Sequence, residues 1–186
     1  MKKTLILITI IALAACKSPE ARYPVIQKSG SHISESIAKN QELLEKEVAQ
    51  IEAVIAADST REYQSSPDGF WYTYNKKNKD TANTLKPEFG DVVSFDYSIK
   101  TLDGQVIYAE GEKATRTYAI DQEKLFSGLR QGLKLMQEGE TITFLFPSYK
   151  AYGYYGDKNK IGTNWPLQTK VTLNKIIEKE ENQNQR

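Results

Sequence analysis

Two residues that carry much of protein chemistry are nearly missing: the 186-residue chain has one cysteine, Cys16, and one histidine, His32. A single thiol draws no disulfide framework, and a Cys/His metal cluster or a Cys–His nucleophile lacks its parts. An excess of one charge is missing too. Lys and Arg number 25 against 24 Asp and Glu, a net +1 that gives no field to attract nucleic acid, so no nucleic-acid partner is expected. Gly153 to Lys160 lacks the residue order of a phosphate-binding loop. Asp96, Asp103, Asp121 and Asp157 are isolated, without calcium-loop spacing, and no facing carboxylate pair of the glycosidase kind stands out. Neither a metal nor a cofactor is expected. What remains is 39% hydrophobic residues, 10% aromatics and 11 tyrosines, enough for one domain with appendages that works through shape and apolar surface.

Lys2 and Lys3 precede an apolar run from Thr4 to Ala15. The run is shorter than the roughly 20 residues of a membrane-spanning helix, so residues 1–15 read as a secretory signal. It ends Leu13-Ala14-Ala15-Cys16, which resembles the lipobox of bacterial lipoproteins. That resemblance implies cleavage before Cys16 and lipidation of its sulfur, with Cys16 as the membrane anchor, because two or three acyl chains hold firmly where one holds marginally. Lys17 rather than Asp follows Cys16, which is similar to the outer-membrane sorting class and implies a cell-envelope location facing the periplasm.

Residues 16–33 hold two prolines and mixed polar residues and read as a flexible tether. Residues 34–60 read as a helical segment: Ile37, Leu44, Val48, Ile51 and Ile55 recur at spacings of three, four and seven, with Asp58-Ser59-Thr60 as the stop. The stripe fits packing onto the domain, a solvated spacer, or a homodimer through the 34–57 helix; barely three heptads do not decide among them.

Residues 61–178 read as the folded domain and 179–186 as a polar tail. Ser65-Ser66-Pro67-Asp68-Gly69 signals a turn before the β-prone Phe70–Tyr74. Val93, Phe95, Tyr97 and Ile99 alternate with polar neighbours; Leu102-Asp103-Gly104-Gln105 makes a hairpin into Val106–Tyr108; Arg116–Ile120 and Thr141–Pro147 are further strands. Asp121 is placed to cap a helix over Glu123–Met136. The last strand, Leu167–Ile177, aligns Val171 and Leu173 with Ile176 only after a shift in phase. Five or six strands and one helix predict an α+β domain, a twisted antiparallel sheet wrapped around one short helix, preceded by an N-terminal helix.

Three blocks in order then become specific. Gly90-Asp91 with Tyr97 resembles the "G-D-x-V-x-x-x-Y" opening of FKBP-type peptidyl-prolyl isomerases. Phe126-Ser127-Gly128 through Gly132-Leu133, Met136, Gly139 and Glu140 resembles the family's helix block, and Pro147 through Ala151-Tyr152-Gly153 its "I-P-x-x-x-A-Y-G". The resemblance covers residues 86–177. With the lipobox, Arg22-Tyr23-Pro24-Val25 and Gly69-Phe70-Trp71-Tyr72, the whole order is similar to that of the gliding-motility-associated FKBP lipoproteins.

The resemblance implies isomerisation of X–Pro bonds in proline-containing polypeptides, with Tyr97, Phe126 and Tyr152 as the catalytic positions. Here the Phe126 N–H and the Tyr152 hydroxyl would meet substrate carbonyls. Ile107, Tyr108, Tyr118, Leu125, Leu129 and Ile161 fall at substrate-binding positions. Several of these depart from the family: Ile107 and Tyr108 stand where an aromatic and an Asp are usual, Leu129 where Trp is frequent, and Thr169 where a phenylalanine lines the pocket. Tyr154, Tyr155 or Trp165 fill that gap or are surface or core aromatics. An isomerase of envelope proteins, a low-activity client-binding module and a structural role at the membrane all follow from the same residues.

Overall fold

The computed structural model describes residues 30–78 and 84–177; the signal 1–15, Cys16, the tether up to residue 29 and the 179–186 tail lie outside the described residues. Two compact units divide the chain, Met1–Ala38 and Lys39–Arg186. In the first, the described residues are the opening turns of helix α1, which runs Gly30–Ala57. The helix starts four residues before the predicted Ser34, so the end of the predicted tether is helical; no proline follows Pro24 until Pro67 to interrupt it. No described helix is long and apolar enough to cross a membrane.

In the second unit α1 stops where predicted. The Asp58 carboxylate accepts the Thr60 N–H at 3.3 Å and the Thr60 hydroxyl at 2.7 Å, an Asx turn that competes with further helix. The apolar stripe is less regular than its spacing suggests. Ile51 is fully buried, but Leu44 is 38% exposed and the position that joins Ile51 inside is Glu47, 3% exposed.

Seven strands follow: β1 (Gln64–Ser66), β2 (Phe70–Lys76), β3 (Val92–Thr101), β4 (Val106–Tyr108), β5 (Arg116–Ala119), β6 (Thr141–Phe146) and β7 (Leu167–Ile177). All pair antiparallel in the order β1-β2-β6-β7-β3-β4, with β5 also on β3. β1 was not predicted. The turn is tighter than Ser65–Gly69, because Ser66 already pairs with Phe70 and accepts the Gly69 N–H at 3.0 Å. The phase shift near the end of β7 is a bulge: Ser94 pairs with Lys175 and Phe95 with Leu173, leaving Asn174 without a ladder partner. Leu173 and Ile176 therefore both face the core.

Helix α2 (Ser127–Leu133) is shorter than the predicted Glu123–Met136, and its N-cap is Phe126, not Asp121. Asp121 sits at φ 59°, outside the right-handed helical region. The segment after it is bound elsewhere: the Tyr118 hydroxyl accepts the Asp121 N–H at 3.2 Å and donates to the Glu123 carbonyl at 3.4 Å, and Arg116 Nη2 donates to the Lys124 carbonyl at 2.9 Å.

Leu129 and Leu133 of α2 are fully buried in a core with Phe70, Phe95, Phe144, Phe146 and Ile99. Phe144 and Phe146 stack at 5.5 Å with 11° between their planes, and Gly128 and Gly132 lay one side of the helix flat on these two rings. A Cβ at Gly128 would lie 2.5 Å from Phe146 Cδ1 and 2.9 Å from the Lys150 carbonyl oxygen, which is backbone and cannot swing aside. Alanine gains about 1 kcal/mol in helix propensity, while overpacking costs about 1–3 kcal/mol and more against backbone. Gly128→Ala is therefore expected to destabilise by about 1–2 kcal/mol, read as a lower urea midpoint at unchanged m-value; a raised midpoint contradicts the close approach.

Candidate active site

One end of this core is built of side chains from five separate segments. β3 turns Tyr97 inward, 8% exposed, with its ring 5.7 Å from Phe95. β4 contributes Ile107 and Tyr108, 8% and 3% exposed. Phe126 caps α2 in extended backbone, φ −66° and ψ 147°, so its N–H is not spent on the helix; it meets no acceptor among the described residues. Tyr152 sits between two short 3₁₀ turns, Ser148–Lys150 and Gly153–Tyr155. The rings of Phe126 and Tyr152 lie 5.0 Å apart, and Phe126 meets Phe146 edge-on at 5.5 Å. Phe126 and Tyr152 are half-buried and pack against the cluster that holds the buried Tyr97, Tyr108 and Ile161, so this part of the aromatic cluster reaches solvent.

Burial pushes the Tyr152 phenol well above its ordinary value; nearby Tyr97, Asp157 and Tyr108 add to the shift and Arg116 opposes it. Its hydroxyl has no hydrogen-bond partner among the described residues, and it stays a protonated donor at any physiological pH.

The far wall is a loop closed on Asp157. Asp157 Oδ1 accepts the N–H groups of Asn159 at 2.9 Å and Ile161 at 2.8 Å, while the Asp157 N–H donates back to the Ile161 carbonyl at 3.2 Å. Oδ2 accepts the Tyr108 hydroxyl, which also accepts Asn159 Nδ2 at 3.2 Å. Burial would raise the Asp157 pKa, but these donors outweigh it and hold the carboxyl below its usual range. Gly156, at φ 62°, lets the loop close: a Cβ there would fall 2.2 Å from the Ile161 carbonyl oxygen. Sequence reasoning placed Asp157 among isolated carboxylates. The detectable signal was its position after Gly156 and two before Asn159, an Asx-turn pattern. Its consequence is that a carboxylate 49 residues away in the chain reaches the Tyr108 hydroxyl.

Cations stand over two of these rings. Lys113 Nζ lies 3.8 Å from the Tyr108 ring centroid and 5.9 Å from that of Tyr97, and Lys160 Nζ 4.9 Å from Tyr108. Tyr118, expected near the rim, is fully buried with its hydroxyl holding the 121–124 segment; Leu129, expected at the floor, is fully buried beneath the cluster. Leu125 packs half-buried against the same core. Tyr154 and Tyr155, 69% and 81% exposed, do not replace an aromatic wall at Thr169, whose own hydroxyl is buried with no partner among the described residues. Trp165 is 41% exposed, with its indole against Gly162. Among the described residues no three His, Cys, Asp or Glu side chains gather to hold a metal ion.

Residues 83–174 match the family model described as FKBP-type peptidyl-prolyl cis-trans isomerase. Residues 83–174 form a domain of that family. It is 34% identical over 94 residues to a Neisseria meningitidis serogroup B protein named "Probable FKBP-type peptidyl-prolyl cis-trans isomerase FkpA"; the match spans 49% of this chain and 33% of that relative. Among solved structures, the fold is similar to that of FkpA from Escherichia coli at TM-score 0.58 and 20% identity, over 95% of this chain and 82% of that one. A peptidyl-prolyl isomerase from Pseudomonas syringae pv. tomato gives the same TM-score and identity over 74% and 96%. The three FKBP domains of wheat FKBP73 give 0.56 over 64% and 52%, again at 20% identity. These likenesses show an FKBP fold, with two helices and the seven-stranded antiparallel sheet described above.

Proposed function

We propose that the chain is a peptidyl-prolyl cis-trans isomerase acting on X–Pro bonds of exported or envelope proteins. The observation that carries this reading is the pair of unspent donors, the Tyr152 hydroxyl and the Phe126 N–H, beside an apolar face of Phe126, Tyr97 and Ile161. Rotation of an X–Pro amide meets a barrier of about 18–20 kcal/mol because the planar form is resonance-stabilised and polar. The apolar face removes water that favours the polar planar amide, and a fixed donor holds the substrate carbonyl while the bond turns; each tenfold acceleration requires about 1.4 kcal/mol. The chain's residues supply surface, orientation and hydrogen bonds, and no bond to the protein is made or broken.

Lipidation at Cys16, an outer-membrane position facing the periplasm and service to gliding motility belong to the same proposal. Their support is the Leu13-Ala14-Ala15-Cys16 block, with Lys17 after it, and the order of segments that follows.

Proline isomer exchange in a short X–Pro peptide, followed by NMR with and without the full chain, tests the reading. Faster exchange with protein supports it. A second reading, a client-binding module of low turnover, is favoured by Thr169, whose buried, unpartnered hydroxyl replaces an apolar wall. Peptide resonances that shift on binding at an unchanged exchange rate would select it and overturn the isomerase.

A further inference from the structure

A charged side chain is buried in the part of α1 that belongs to the folded unit. Glu47 is 3% exposed, and its Oε2 accepts the Ser148 N–H at 2.8 Å. Its Oε1 is buried with no hydrogen-bond partner, and no ion pair reaches Glu47 among the described residues. Lys46 pairs with Glu42 at 2.9 Å, and Lys150 donates to Gln131 at 3.2 Å while its Nζ stands 5.5 Å from the Tyr149 ring centroid. A buried carboxylate without a cation is costly. The residue is not sealed in a core, because it lines a cleft of about 360 Å³ with Leu43, Leu44, Tyr149 and Tyr154. Burial raises the Tyr149 phenol, and the Glu47 carboxylate beside it raises it further. Gly153 also lines the cleft and directly follows Tyr152 in the chain.

Taken with the reading of Tyr152 as part of the prolyl site, on which it rests, we infer that this cleft is a specificity subsite for a lysine or arginine side chain flanking the proline of a client. The occupant follows from the lining. Leu43 and Leu44 suit a methylene stem, the Tyr154 ring attracts a cation, and Glu47 Oε1 lacks the donor that an ammonium or guanidinium brings. A neutral donor would satisfy the hydrogen bond and leave the buried charge unmatched.

The test uses the full chain and a set of peptides with one X–Pro bond, in which lysine or its neutral analogue norleucine is walked along the positions flanking proline. Dissociation constants are read from NMR shifts, which report binding whether or not the bond is turned over. At one flanking position lysine is expected to bind roughly tenfold tighter than norleucine, a ratio that Glu47→Gln brings close to one. Leu44→Arg, on the exposed rim, places a competing cation at the cleft and lowers the same ratio without altering the buried residue. A lysine preference with no acceleration of exchange supports the subsite and overturns the isomerase. Equal constants for lysine and norleucine at every position overturn the subsite, as does a preference that survives Glu47→Gln. A change in oligomeric state with Glu47→Gln and no lysine preference assigns the cleft to a second copy and also overturns it.

Discussion

Asp157→Ala is expected to lower unfolding free energy by about 2–3 kcal/mol and to reduce isomerisation at least tenfold, although Asp157 is not assigned a contact with substrate. Its carboxylate accepts the Tyr108 hydroxyl and the N–H groups of Asn159 and Ile161. Alanine leaves these donors without an acceptor, at about 1–3 kcal/mol for each one that water cannot reach. Tyr108 is 3% exposed and Ile161 4%, so two of them are poorly hydrated. Both residues belong to the cluster that Phe126 and Tyr152 pack against, and under the proposed function a displaced wall alters where a prolyl ring would sit. Asp157→Asn keeps an acceptor for the two N–H groups and weakens the bond from Tyr108, so its loss should be smaller. Equal loss in both variants would contradict this division. The sign of the acid response follows from the lowered pKa: the stabilisation is complete above the unfolded value of about 4 and is lost as pH falls through the folded value. Urea midpoints measured on either side of pH about 4 should therefore fall in acid, and by less in Asp157→Asn.

Why the sequence showed one part of this site and hid another is visible in particular residues. Val93, Phe95, Tyr97 and Ile99 alternate because one face of β3 is covered, and such a pattern survives any loop rearrangement. The displaced phase of Ile176 was a direct imprint of the bulge at Asn174. Phe126 and Tyr152 were readable through a resemblance of ordered blocks, and the structure brings their rings to 5.0 Å. Asp157 was hidden because its partners are made by loop closure: Tyr108 lies 49 residues away, and nothing local to either residue announces the pair. Glu47 was hidden by a sound rule. On an amphipathic helix a carboxylate is assigned to the water side, and here tertiary packing puts it inside, 101 residues from the Ser148 N–H it accepts. Asp121 misled for a related reason. Its type suits a helix cap, but Tyr118 and Arg116 bind the chain that follows it and move the helix start to Phe126.

Tyr152→Phe isolates the chemical step from the scaffold. The variant keeps the ring that stands 5.0 Å from Phe126, and removing a hydroxyl with no partner among the described residues orphans none of their polar groups. Stability should stay within about 0.5 kcal/mol of the parent, as for a substitution that touches no packed or bonded feature. Activity should fall about tenfold in kcat/KM, which corresponds to about 1.4 kcal/mol, the size of one hydrogen bond to a substrate carbonyl. Direction matters as much as size. If the hydroxyl binds planar and twisted amide equally, the loss appears in KM alone; if it favours the twisted form, kcat falls with kcat/KM. A pH series adds an independent readout. An ordinary tyrosine loses its proton near pH about 10, whereas burial holds the Tyr152 proton well beyond that, so the parent rate should stay flat through pH about 10. The same shift stabilises the fold below the unfolded value of about 10 and loses that contribution only as pH rises through the folded value. Full activity in Tyr152→Phe, with stability intact, would remove the hydroxyl from the mechanism and leave the apolar face of Phe126 and Tyr97 to act by desolvation alone.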